Sequence, residues 1–289
     1  MHRQHPLPQT FRRMSALLLV ACLGSATGAL AQESADASPG RLPLWEVGAF
    51  AGALSTPAYP ASSEQNQRAL VLPFFVYRGE VIRADRGGVG ARMVHTDRVE
   101  LDVGFSGSLP ASSNDIALRR GMPDLGTLLE FGPRVKFLLT PPAERSRITL
   151  ELPLRAVLEF NDGVRKVGYA LEPKLAYETS IAGDWRMKSA FSLVVGDAQL
   201  NQYFYSVPTA FATATRPAYE AQSGLIGSRL TIDGSKRLGP DLRVFAFARQ
   251  DFYEGSANQA SPLFAQKQGT SLGLGLTWTL GRSETRVSD

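Results

Sequence analysis

Residues 148–160 read ITLELPLRAVLEF, with Ile148, Leu150, Leu152, Leu154, Ala156, Leu158 and Phe160 at the even positions and Thr149, Glu151, Pro153, Arg155, Val157 and Glu159 at the odd ones. A period of two belongs to a strand whose side chains alternate between faces, here one apolar and one mostly polar. At ~3.3 Å per residue the run is about 43 Å long, and tilted by about 45° it crosses a hydrocarbon layer of about 30 Å. One strand cannot span a membrane, because its backbone polar groups need partners that lipid does not offer. The fold therefore turns on whether the rest of the chain closes a barrel around this run.

Segments with strand character recur at about 44–54, 68–77, 79–85, 87–94, 98–109, 127–139, 147–160, 167–180, 185–195, 224–234, 241–253 and 270–280. An even count of about 12 strands suits a bacterial single-chain barrel, in which short periplasmic turns alternate with longer outer loops. With the N-terminus periplasmic, the turns are Arg78-Gly79, His95 to Arg98, Pro141 to Ser146, Ala182 to Asp184 and Ser235 to Pro240. The outer loops are 55–67, 86–87, 110–126, 161–166, 196–223 and 254–269, so the long connections share one side. Reading 79–94 as one strand is the alternative; it breaks this sidedness. The last strand puts Leu272, Leu274, Leu276, Trp278 and Leu280 on one face and Ser271, Gly273, Gly275, Thr277 and Thr279 on the other. It is similar to the closing strand of outer-membrane barrels. The expected architecture is an all-β, transmembrane, antiparallel up-and-down β-barrel over 44–280, followed by a tail at 281–289.

The first 31 residues read as a signal peptide: Arg12 and Arg13 end a basic start, an apolar stretch follows, and Ala29-Leu30-Ala31 is a cleavage site. A second reading stays open, because Leu19-Val20-Ala21-Cys22 resembles a lipobox that would place a lipid on Cys22. Residues 32–43 form a short periplasmic leader. Removing the signal takes away Arg3, Arg12 and Arg13 and no acid, so 31 basic residues fall to 28 against 27 acidic, a net charge of +1. Nothing in that balance asks for nucleic acid. The same cut removes the single cysteine and leaves His95 as the only histidine, which argues against a metal centre. No cofactor is implied.

Two sets of residues are candidates for function. Glu130, Arg134, Lys136, Glu151, Arg155, Glu159, Glu172 and Lys174 fall on the polar faces of three successive strands and would line a lumen, either pairing across it or selecting solutes. The longest outer loop carries Tyr203, Tyr205 and Tyr219, which would bind a ligand, constrict the mouth or fold the loop onto the barrel. A hydrolase needs a base near its nucleophile, and His95, followed by Thr96-Asp97, lies in a periplasmic turn. The chain reads as non-enzymatic, with no catalytic residue assigned.

Short motifs run in order through most of the chain: Pro57-Ala58-Tyr59-Pro60, Leu72-Pro73, Arg78-Gly79, Gly121-Met122-Pro123-Asp124-Leu125, Glu130-Phe131-Gly132-Pro133, Tyr203-Phe204-Tyr205-Ser206-Val207, Arg216-Pro217-Ala218-Tyr219-Glu220-Ala221 and Ser261-Pro262-Leu263. This ordered set resembles the MltA-interacting protein (MipA) / OmpV family of outer-membrane proteins. The resemblance implies a location in the bacterial outer membrane, contact with its lipid, and a scaffold role for a periplasmic murein hydrolase (a lytic transglycosylase) and a murein synthase. Their contacts would lie near Arg78, the 141–146 and 235–240 turns and the tail. Other members of the family suggest the alternative of a passive channel or a surface-exposed adhesion protein.

Overall fold

Alternation of the kind seen in residues 148–160 recurs in strands around the wall. The computed structural model describes residues 41–79, 82–85, 88–141, 146–181 and 185–288. The strands are β1 (Arg41–Pro43), β2 (Trp45–Pro57), β3 (Gln65–Arg78), β4 (Ile82–Asp85), β5 (Gly88–His95), β6 (Val99–Ser108), β7 (Thr127–Leu138), β8 (Ser146–Phe160), β9 (Val164–Leu171), β10 (Lys174–Ile181), β11 (Trp185–Gly196), β12 (Gly224–Arg237), β13 (Leu242–Phe252), β14 (Gln268–Arg282) and β15 (Arg286–Ser288). One helix, α1 (Ala198–Tyr205), lies between β11 and β12. Apart from β9 and β10, sequence neighbours pair antiparallel from β2 to β14, and β14 pairs back onto β2, which closes the barrel.

The sheet counts thirteen strands, but β9 and β10 share one place in the wall. The lower half of β8 pairs β10 at Lys174↔Glu151, and its upper half pairs β9 at Leu154↔Leu171. Pro173, which has no N–H to give to a ladder, sits at the break. The wall therefore has the twelve positions expected from the sequence. Where one strand was expected over 167–180, proline divides it, and its outer half begins earlier, at Val164.

Which face meets lipid is settled by exposure. In β14, Leu274 is 65% exposed and Trp278 57%, whereas Ser271 is 0% and Thr277 3% exposed. In β8, Leu154 is 50% exposed and Glu151 6%. Apolar side chains outside and polar ones inside reverse the order of a soluble sandwich and match a barrel bathed in lipid. Val71, Phe75, Tyr169, Leu175, Phe191, Leu193, Leu230 and Ile232 continue this outer belt.

Part of the interior is apolar. Phe50, Phe74, Val76 and Phe245 form a buried cluster in which Phe50 stacks on Phe245 with ring centroids 5.4 Å apart. Gly273 and Gly275 leave room for these rings: an added Cβ would come within 2.1 Å of the Phe247 ring and 2.2 Å of the Phe245 ring, respectively. Across the barrel, Gly132 answers a tighter demand, since a Cβ there would sit 2.0 Å from the Leu154 carbonyl oxygen. Backbone cannot rotate away as a ring can. Gly132→Ala is expected to lower stability by about 1–3 kcal/mol, while Gly104→Ala, whose Cβ would meet nothing nearer than Arg134 atoms at 3.5 Å, leaves it unchanged. Urea unfolding, followed by heat-modifiable gel migration, measures both.

The wall is uneven at β4 and β5. Among the described residues, β3 pairs β4 at Tyr77↔Ala84 and Arg78↔Arg83 alone, and β5 meets β6 at Arg92, Val94 and His95 alone. Among the described residues, no strand pairs with the edges of β3 (Gln65–Val76) and β6 (Val103–Ser108) that face each other there.

The long connections 109–126, 197–223 and 253–267 share one end of the barrel, called here the outer end. At the opposite end the tail pairs with the leader, Leu42 opposite Val287. Arg78, near which partner contacts were expected, is also at that end. It is 3% exposed, paired with Glu46 at 2.9 Å and donating to the Pro43 carbonyl at 2.8 Å. The expected signal peptide (1–31), Cys22, most of the expected leader and the turn residues 142–145 and 182–184 lie outside the described residues.

Candidate functional site

Strand register builds the lumen chemistry. On one face of an antiparallel pair, directly opposite residues stand about 5 Å apart, within reach of long charged side chains. Asp102 lies opposite Arg134, Glu100 opposite Lys136, and Lys136 opposite Glu151. Arg134 grips Asp102 with two hydrogen bonds, 2.9 Å from Nε and 2.7 Å from Nη2. Lys136 bridges Glu100 at 2.8 Å and Asp102 at 2.9 Å, and Glu151 lies 3.7 Å from Arg134 and 3.4 Å from Lys188. This lower network joins four wall strands.

An upper network runs round the wall toward the outer end. Arg155 pairs with Glu130 at 3.0 Å and forms a short contact with Glu172. Glu172 accepts from Ser192 at 2.9 Å and meets Arg229 at 3.4 Å and Lys174 at 3.9 Å. Arg229 pairs with Asp251 at 2.6 Å, which is 3.0 Å from Arg249, whose Nη2 donates to Ser271 at 2.8 Å. All eight lumen residues anticipated from the sequence face inward, and seven enter these networks. The eighth, Glu159, does something else.

Glu159 stands at the outer end of β8 and ties the longest loop to the wall. Tyr203 donates to its Oε1 at 2.9 Å, the Gly126 N–H donates to the same oxygen at 3.0 Å, and Arg165 pairs with its Oε2 at 2.6 Å. The loop begins with α1. Asp197 caps that helix by accepting from the Leu200 N–H at 2.9 Å. Tyr205 is fully buried in an apolar cluster with Leu128, Val157, Leu200, Ile226 and Tyr253. A second cluster joins Tyr59, Ile116, Met122, Leu125, Val207 and Leu263 from four loops.

Polar side chains lock these clusters into a cap over the outer mouth. Arg216 donates to the Phe211, Leu118 and Arg120 carbonyls, and Arg119 donates to those of Phe204 and Pro123. Asn258 donates to Asn201 Oδ1 and the Gln222 carbonyl, both at 2.9 Å, and accepts from Tyr219 at 3.2 Å and from the Gln222 N–H at 2.9 Å. Burial raises the Tyr59 and Tyr203 hydroxyls well above the ordinary tyrosine range, so both stay protonated. It also lowers the Arg119 guanidinium. Gly121 takes a φ of +82° in the turn before Pro123, and Asp124 accepts from the Ser113 N–H at 2.6 Å, so that motif braces the cap.

A cavity of about 200 Å³ remains between the cap and the upper network. Its roof includes Leu128, Leu200 and Phe204 and its floor Arg155, Glu172 and Arg229. Sequence reasoning missed Asp102, Lys188, Arg229, Arg249 and Asp251, although each has an apolar residue on at least one side of it in its strand. It also missed Asn201 and Asn258, for which no sequence signal exists.

The family model described as MltA-interacting protein MipA matches residues 48–280. The chain belongs to the MipA family. No curated relative matches it in sequence. Similar solved structures include the NanC porin, at 8% identity over 81% of this chain and 100% of that one, with a TM-score of 0.38. Outer membrane phospholipase A from Escherichia coli matches at 12% identity over 82% and 93%, with a TM-score of 0.35. An outer membrane channel from Pseudomonas putida F1 matches at 11% identity over 86% and 100%, with a TM-score of 0.37. The family and the apolar belt make this MipA-family chain a protein of the bacterial outer membrane.

Proposed function

We propose that this barrel is a scaffold for peptidoglycan-remodelling enzymes, docking a lytic transglycosylase and a murein synthase at its periplasmic end. The observation that carries this reading is the filled interior: two ion-pair networks and a phenylalanine cluster occupy the lumen beneath a cross-linked cap. A barrel that invests its interior in rigidity is suited to holding partners, and the role needs no catalytic group. The family description, an MltA-interacting protein, names the same kind of partner. The surface at the short-turn end offers the β1 and β15 ribbon, the exposed Leu238 and the Arg282 pair with Asp241.

Immobilised folded barrel is expected to retain the lytic transglycosylase of its own envelope, and a chain ending at Glu284, without β15, to retain much less. In a planar bilayer the folded protein is expected to stay silent. Failure of folded barrel to retain either enzyme would overturn the scaffold, and stepwise conductance would turn the reading toward a channel.

A further inference from the structure

The unpaired edges of β3 and β6 lie in the outer half of the wall, because β3 descends from Gln65 to Arg78 and β6 rises from Val99 to Ser108. The gap has a floor at the β4 and β5 hairpin and a lintel where Asn66 Nδ2 donates to the Pro110 carbonyl at 2.9 Å. Backbone groups without ladder partners are tolerated at membrane depth only where they border water or protein. The slot edges therefore need lumen water or a polar ligand beside them, and the cavity lining makes the connection: Asn66 from one edge and Ser106, Gly107 and Ser108 from the other line the 200 Å³ cavity.

The slot and the cavity differ in chemistry. The slot carries backbone N–H groups left over from the ladder, the Ser106 and Ser108 hydroxyls and Arg68. That residue occupies an inward-facing position of β3 yet is exposed, and among the described residues its polar contact is a 3.4 Å bond to the neighbouring Gln67 carbonyl. The carboxylates of the cavity floor are paired among its own arginines, so among the described residues Arg68 is a cation without an acidic partner. Behind the slot the roof is apolar: Leu54, Leu128, Leu200, Phe204 and Ile226.

We propose that this slot is a lateral port that binds a single-chain, monoanionic amphiphile from the outer leaflet, its carboxylate held by Arg68 and the strand-edge N–H groups and its chain lodged beneath the cap. The cavity has room for one chain or ring and not for a whole multi-chain lipid. Binding here is independent of the scaffold role, which uses the opposite end of the barrel.

The test is titration of the folded protein in neutral detergent with tritiated decanol, following bound label, with unlabelled decanoate and decanol as competitors. Saturable binding is expected. Arg68→Glu should weaken displacement by decanoate about tenfold or more, the scale of losing a charged hydrogen bond, and leave decanol unchanged. Ser106→Trp should abolish the site by filling the slot, with heat-modifiable migration confirming the fold. Arg68 is exposed, so its variant tests the port even where Ser106→Trp does not fold. Non-saturable partitioning, or binding that neither variant alters, would overturn the port.

Discussion

Replacing Glu172 by alanine is expected to lower the stability of the barrel by about 3 kcal/mol, near the lower end of the range for breaking a buried ion pair by removing one partner. Glu172 is 4% exposed and receives Arg155, Arg229, Lys174 and Ser192. Its loss leaves at least two guanidinium groups, those of Arg155 and Arg229, facing each other without the carboxylate between them. Glu172→Gln keeps an acceptor for Ser192 and should cost less. In the double variant with Arg155→Ala the two losses should not add, because the first change already removes the contact that the second would break. The exposed Lys267 and Glu254 pair, whose side chains are 66% and 71% exposed, provides the contrast. Lys267→Ala should change stability by no more than about 1 kcal/mol. Urea unfolding read by heat-modifiable migration separates these cases; equal effects at Glu172 and Lys267 would mean that lumen water screens the network.

The parity of β8 was legible to the residue, because lipid outside and charge inside force the strictest alternation a chain can show. The twelve wall positions were legible for the same reason. The break between β9 and β10 was written in the sequence as Pro173 and was overlooked because the apolar alternation resumes beyond it. The reach of β4 and β5 was not legible: 79–85 and 87–94 have strand character, but how far a strand pairs depends on its neighbours. Likewise, the charges of β7, β8 and β10 declared a polar lumen, while the Arg229 contact with Glu172 skips over β11 and exists only through barrel curvature. The cap was the least readable part. Its loops carry no period, and Asn201 meets Asn258 across 57 positions of sequence.

That Asn201 and Asn258 contact makes the cap separable from the wall, and Asn258→Ala is the change that shows it. Asn258 is fully buried and makes four polar contacts, with Asn201, Tyr219 and both backbone groups of Gln222. Alanine leaves those groups without partners, each worth about 1–3 kcal/mol when it stays dry. The loop relieves this by opening to water, so the cost falls on the cap and not on the strand ladder. A local loss of about 3 kcal/mol raises the open population roughly a hundredfold. Where opening is fast, cleavage follows that population. Protease added to the outer face is therefore expected to cut within 197–223 at least about tenfold faster in Asn258→Ala than in the unaltered protein. The unfolding midpoint of the barrel should stay within the ordinary scatter of a surface change, about 0.5 kcal/mol. If the midpoint falls in step with the cleavage rate, cap and wall unfold together, and the loop helix belongs to the barrel core, not to a lid upon it.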